Sequence, residues 1–154
     1  MTSKRNFLKQ FFKDRKVVGA VSPSTKFLGE KMLASIDFDK ARNMVELGPG
    51  TGVCTDSIIQ RMHRDAKLLV LELNDDFFHK LSERIDDPRV QVIHDSAENI
   101  SKYLPEAQQE NQDAVISSLP LMVFSAPLRK AVVDASYKSL KPTGKYVQFQ
   151  YSLQ

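Results

Sequence analysis

Met44-Val45-Glu46-Leu47-Gly48-Pro49-Gly50-Thr51-Gly52 carries a short apolar run into an acid and then three glycines at alternate positions. Glycine lacks a Cβ, so a turn built from it takes positive φ values and lets other groups lie against its backbone. The apolar run Asn43 to Leu47 reads as a strand, and Val53, Ile58, Ile59 and Met62 at helical spacing mark a helix after the loop. A strand, a glycine turn and a helix in that order form the place where open α/β sheets bind ligands, outside the carboxyl ends of their strands.

Working outward, Lys67 to Leu73 is apolar at consecutive positions, as expected of a parallel strand covered on both faces, and it ends at Glu72. Asn74 and Asp75 offer caps for a helix through Phe77, Phe78, Leu81 and Ile85, stopped by Pro88. Arg89 to Ile93 is a third strand leading into His94-Asp95-Ser96-Ala97, and residues 98–112 are polar enough to predict a loose helix and a loop. Asp113 to Ser118 is a fourth strand, Ser125 caps a helix from Ala126 to Leu140, Lys141 to Gly144 turns, and Lys145 to Tyr151 alternates as a fifth strand. Strands alternating with helices predict an α/β fold with a doubly wound parallel sheet. Before the first strand, Ser22-Pro23-Ser24 precedes a helical pattern from Phe27 to Ile36, ended by Asp37-Phe38-Asp39.

The 154 residues suit one domain with a real core, and no apolar run approaches bilayer length. The single cysteine, Cys54, excludes an internal disulfide, and the basic start lacks a secretory pattern, so a reducing cytoplasm is expected. Charge is uneven. Residues 1–16 hold six basic side chains against one acid, while the remainder is slightly acidic. Within that head, Phe7, Leu8, Phe11 and Phe12 make one helical stripe beside Lys4 and Arg5. Two readings stay open: a basic amphipathic helix (residues 1–16) lying in an anionic membrane surface, or an aromatic stripe docked on the domain formed by residues 17–154.

Three ligands compete for the loop. A triphosphate site needs a lysine and a hydroxyl after the last glycine, but the chain continues Val53-Cys54-Thr55. A dinucleotide site needs G-x-G-x-x-G, whereas here the third glycine comes one residue early and Glu46 would repel a pyrophosphate. A ligand with a positive end and a ribose suits Glu46 in the loop and Glu72 as a bidentate acceptor for ribose hydroxyls. No His, Cys or carboxylate spacing predicts a metal site, and His63, His79 and His94 read as surface or packing residues.

Glu46-Leu47-Gly48-Pro49-Gly50-Thr51-Gly52 resembles motif I of the class I S-adenosylmethionine-dependent methyltransferases. Glu72 and the following Leu73 match that family's second strand end, and Asp95-Ser96-Ala97 match the segment flanking adenine. The resemblance runs from about Val17 to the end of the chain. It implies a Rossmann-like methyltransferase that binds S-adenosylmethionine and releases S-adenosylhomocysteine, with Glu46, Gly48, Gly50, Thr51, Gly52, Glu72, Leu73, Asp95, Ser96, Ala97 and Ser117 at the cofactor.

The acceptor is expected after the fourth strand, at Ser117-Ser118-Leu119-Pro120-Leu121. Enzymes that methylate base amino groups carry an Asn or Asp there and then an aromatic that stacks on the base; this chain has Ser117 and Leu121 instead. The segment resembles the bacterial phospholipid N-methyltransferases, as do Val18 to Ser24 and Tyr146 to Tyr151. That resemblance implies N-methylation of phosphatidylethanolamine by a cytoplasmic enzyme peripheral to the inner face of the membrane, with Ser117, the carbonyls near Leu119, and Tyr151 at the amine. The alternatives are an adenine N6-methyltransferase of ribosomal RNA, whose basic head would bind phosphates, and a non-catalytic S-adenosylmethionine-binding module. The family fold adds a C-terminal antiparallel hairpin that this sequence lacks, so an open edge near Val147 to Tyr151 is expected either to pair in a homodimer or to leave an unstable truncation product.

Overall fold

The computed structural model describes residues 29–149. Five strands form one sheet in the order β3-β2-β1-β4-β5, every neighbouring pair parallel. They are β1 (Asn43–Leu47), β2 (Lys67–Leu71), β3 (Val90–Ile93), β4 (Gln112–Ser117) and β5 (Leu140–Gln148). The helices are α1 (Val53–Arg61), α2 (Asp75–Arg84) and α3 (Ala126–Ser139), with short 3-10 turns at Ala97–Tyr103, Glu106–Gln108 and Leu121–Val123. Strand order reverses between β1 and β4, so the crevice at their carboxyl ends is the switch point where such sheets bind ligands.

Both faces are covered, which explains the unbroken apolar runs. Met44, Leu68, Val70, Ala114 and Ile116 pack with Ile58, Met62 and Leu81 on the α1/α2 side. Val45, Leu47, Leu69, Leu71 and Val115 pack with Ile100, Leu104 and Val132 on the α3 side. Register brings Leu47 beside Leu71 on one flank and Ser117 on the other, so the three strand ends that carry the motifs finish level.

The sequence reading holds for the strands and for both side-chain caps: Asn74 accepts from the Phe77 N–H (2.9 Å) and Ser125 from the Leu128 N–H (3.3 Å). Four boundaries differ. Helix α2 ends at Arg84, before Pro88, because Ile85 is already extended. The helix before β1 stops at residue 33, and Ile36 is buried from a bend beyond it. The polar stretch after β3 is 3-10 rather than α-helical, with a kink at Asn99. The turn at Lys141 to Gly144 lies inside β5: Gln112 pairs with Leu140 and Ala114 with Lys145, so the intervening residues loop out. Asp113 anchors that loop from beneath through Lys141. Its burial raises the carboxyl pKa, but Lys141 and the backbone N–H groups of Arg42 and Asn43 outweigh this and hold it below the usual range.

The basic head, with Lys4, Arg5, Phe7, Leu8, Phe11 and Phe12, lies outside the described residues, and so does Tyr151. Among the described residues no helix is long and apolar enough to cross a membrane.

Candidate active site

At the switch point the glycine loop is held from four directions. Gly48 N–H donates to the Leu71 carbonyl (3.0 Å), Gly52 N–H to Pro49 (3.0 Å), and Gly50 N–H to Glu72 Oε1 (2.9 Å). Arg84 bonds the Thr51 carbonyl (3.1 Å) and pairs with Asp56 (2.7 Å). All three glycines have positive φ, and two are also sterically required. A Cβ on Gly48 would lie 2.6 Å from Leu119 Cδ2, and one on Gly52 would lie 2.6 Å from Leu81 Cδ1. The loop's glycines therefore serve close packing against protein as well as access for a ligand.

Glu72 is fully buried. Its second oxygen accepts the Asn74 N–H (3.0 Å), so the carboxylate ties the glycine loop to the start of α2. Each oxygen thus takes one backbone amide and keeps a second lone pair.

Glu46 is likewise fully buried. Strand alternation puts it with Met44 on the α1 side, where it accepts from Thr55 Oγ1 (2.5 Å). It is not among the residues lining the cavity and sits close to the loop, against Thr55. Nearby Cys54 is half-buried, and burial, then the Glu46 carboxylate, push its thiol far above the usual range.

The cavity opens on the α3 side, with about 340 Å³ of empty space that is partly solvent. Gly48, Leu71, Leu73, Asp95, Ser96, Ala97 and Leu119 line it, as do Phe124, Leu128 and Val132. Sequence reasoning missed the last three, which arrive from the α3 region, although Phe124 and Leu128 show the i, i+4 spacing of an apolar face. Asp95 is its only ionisable wall among the described residues. It accepts from the Ser96 N–H (2.6 Å), Asn99 Nδ2 (2.8 Å) and the Tyr103 hydroxyl. Burial pushes its pKa up, but these donors and Lys102 outweigh that, leaving it ionised below the usual carboxylate range. The i, i+4, i+8 spacing of Asp95, Asn99 and Tyr103 was the available signal for this triad. His94 supports the wall from outside, Nε2 bonding the Leu73 carbonyl (3.0 Å) and the ring stacked on Phe78 (4.9 Å).

These walls fit a nucleoside cofactor: apolar side chains for a flat base, an ionised carboxylate at the rim, and backbone approachable at Gly48. When bound there, S-adenosylmethionine supplies an electrophilic methyl group on a sulfonium.

The β4 exit differs from the expectation. Ser117 has no exposed surface; its hydroxyl accepts the Leu119 N–H (3.2 Å) and interacts with Tyr146. The Leu119 carbonyl accepts the Leu121 N–H (2.9 Å) and Gln148 Nε2 (2.8 Å), which uses both lone pairs. Both oxygens are thus already bonded within the protein. Ser118 is half-buried, and its N–H donates to the Leu47 carbonyl (3.0 Å), beside Gly48.

The whole-chain comparisons agree with this geometry. The family model for ribosomal RNA adenine dimethylase matches residues 1–148. This chain belongs to that family. It is an S-adenosylmethionine-dependent methyltransferase, and S-adenosylmethionine is its cofactor. One relative, 32% identical over 92% of this chain and 74% of its own length, is an ornithine lipid N-methyltransferase of Singulisphaera acidiphila. Another, ribosomal RNA small subunit methyltransferase A of Dehalococcoides mccartyi, is 29% identical over 78% of this chain, which spans only 39% of that relative. Among solved structures, the 1,6-didemethyltoxoflavin-N1-methyltransferase of Burkholderia thailandensis, with 1,6-didemethyltoxoflavin and S-adenosylhomocysteine bound, has the same fold: TM-score 0.67 at 13% identity over 94% of this chain and 59% of that one.

Proposed function

We propose that this methyltransferase N-methylates the primary amine of a membrane lipid, with phosphatidylethanolamine as the first candidate and an amino-acid-headed lipid as the second. The observation that carries the reading is the β4 exit, Ser117-Ser118-Leu119-Pro120-Leu121, which supplies small and aliphatic side chains where a flipped base would need an aromatic platform. Met122, two-thirds exposed on the next turn, makes that rim apolar. The relative that acts on ornithine lipid supports a lipid acceptor. The family model and the ribosomal RNA relative favour the alternative, adenine methylation in RNA.

In this reading Gly48, Gly50, Thr51, Gly52, Glu72, Leu73, Asp95, Ser96 and Ala97 form or brace the cofactor site. The Ser118 hydroxyl, rather than that of Ser117, receives an N–H of the acceptor. Transfer is an in-line displacement in which the amine nitrogen bonds the methyl carbon as the carbon–sulfur bond breaks. The chain's task is to hold the neutral amine about 3 Å from that carbon. An ammonium has no lone pair, so its proton leaves before transfer, and an apolar rim favours that loss by disfavouring the charged form. The basic head holds the enzyme at an anionic, cytoplasm-facing surface.

Methyl-labelled cofactor offered with phosphatidylethanolamine vesicles, ornithine-lipid vesicles and ribosomal RNA tests the reading. Label in the lipid fraction is expected; label in RNA alone overturns it. Removing residues 1–16 is expected to abolish sedimentation with anionic vesicles and to leave S-adenosylhomocysteine binding intact.

A further inference from the structure

The β4 exit is braced by a side chain from the edge strand. Gln148 stands opposite Ser117 in the sheet, and its carboxamide is engaged at both ends. Nε2 donates to the Leu119 carbonyl (2.8 Å) and to the Phe149 carbonyl (2.8 Å), while Oε1 accepts from the Tyr146 hydroxyl (2.5 Å). Both N–H donors are used, so the partners dictate the orientation of the amide. Tyr146 is itself anchored, stacked on Tyr137 (5.4 Å between centroids) and packed against the core on the α3 side.

What Gln148 holds is a tight reversal. Pro120, with φ −80° and ψ 70°, is the centre of an inverse γ-turn closed by the Leu121 N–H on the Leu119 carbonyl (2.9 Å). The same carbonyl takes the Gln148 bond. Leu119 is thus pinned twice, by its carbonyl to β5 and by its side chain against Gly48 of the cofactor loop. Ser118 immediately precedes Leu119 in the chain. Its place relative to the loop is set by the Leu47 carbonyl on one side and by this clamp on the other.

We infer that Gln148, held by Tyr146, is a positioning residue for methyl transfer, clamping the γ-turn at Pro120 so that Ser118 meets the acceptor amine beside the cofactor loop. The inference rests on the reading that the acceptor approaches at Ser118; it does not depend on whether the amine belongs to a lipid or to a base. A shift of about 1 Å in a positioning group costs on the order of a hundredfold in rate. The clamp therefore acts chiefly on turnover, and it reaches the cofactor cavity through Leu119, one of the residues lining it.

The test compares the full chain with Gln148→Leu, Gln148→Glu and Tyr146→Phe, using the three acceptors above, S-adenosylhomocysteine calorimetry and thermal melts. Gln148→Leu is expected to lower kcat about 10- to 100-fold on whichever acceptor the wild type methylates, with S-adenosylhomocysteine affinity within about twofold. Tyr146→Phe keeps both carboxamide donors and is expected to lose only about threefold. Gln148→Glu faces two carbonyls with a carboxylate, and protonation restores one donor. Its rate relative to wild type is expected to rise as pH falls, which a merely structural loss would not do.

Unchanged kcat in Gln148→Leu overturns the inference, as does a fall that tracks cofactor affinity and melting temperature. Transfer to RNA alone overturns the lipid reading, and the clamp is then scored on RNA. If the wild type methylates none of the three, amide exchange decides: faster exchange at Leu121 in Gln148→Leu supports the clamp, and unchanged exchange overturns it.

Discussion

The two ends of the site are built on different physical principles. At the glycine loop, positions are held by backbone: N–H groups of Gly48, Gly50 and Asn74 reach a strand carbonyl or the buried carboxylate of Glu72. At the β4 exit, positions are held by side chains from a strand remote in sequence, with Gln148 and Tyr146 reaching Leu119 and Ser117. The cradle's donors are backbone amides, present whatever side chain stands there, and they converge on the buried Glu72 carboxylate. A side-chain clamp alters with single substitutions.

The largest effect should come from Gly48→Ala. It places a Cβ at φ +67° and 2.6 Å from Leu119, so both ends of the site are disturbed at once. The backbone conformation alone costs about 1–2 kcal/mol. A loss of more than about 3 kcal/mol in denaturant melts, with no measurable S-adenosylhomocysteine binding, is expected once the clash is added. A functional Gly48→Ala would break the claim that the loop is rigid.

Glu72→Gln sharpens the comparison by touching the cradle alone. An amide cannot accept from both the Gly50 and Asn74 N–H groups, so one buried donor is left facing an NH₂, at a cost of about 2–3 kcal/mol. Calorimetry should show cofactor affinity falling with stability.

Ser117→Ala is the counterpart at the other end. It removes an acceptor for the Leu119 N–H and should cost about 1 kcal/mol in melts. Methyl transfer should fall severalfold while S-adenosylhomocysteine binding holds.

The smallest effect belongs to Asp95→Asn, under about 1 kcal/mol because solvent reaches the group. Its signature is pH. The folded carboxyl titrates below its unfolded value near 3.9, so its contribution is complete above about pH 4 and disappears as pH falls through the folded pKa. Wild type and variant melts should differ by a constant from pH 5 to 8 and converge below pH 4.

The strands and the cofactor loop were legible because their signals are local. Consecutive apolar residues in Leu68 to Leu71 mean burial on both faces, and a glycine at every second position means a turn with positive φ. The site was legible only in part. Glu46, two positions before Gly48, looked like a loop residue, but strand parity sends it to the α1 face and Thr55. Ser117 and Ser118 are chemically identical neighbours, and only the register of β4 against β1 and β5 decides that the first is sealed.

By itself the sequence determined the α/β class, the strand ends that carry the site and the kind of cofactor, because each follows from periodicity or from a motif within a few residues. Tertiary structure alone decided which oxygens are already bonded, which serine is reachable, and that Gln148 crosses from the edge strand to grip Leu119, 29 positions away. Those outcomes depend on sheet register and side-chain direction. Neither is encoded in any short stretch of the chain.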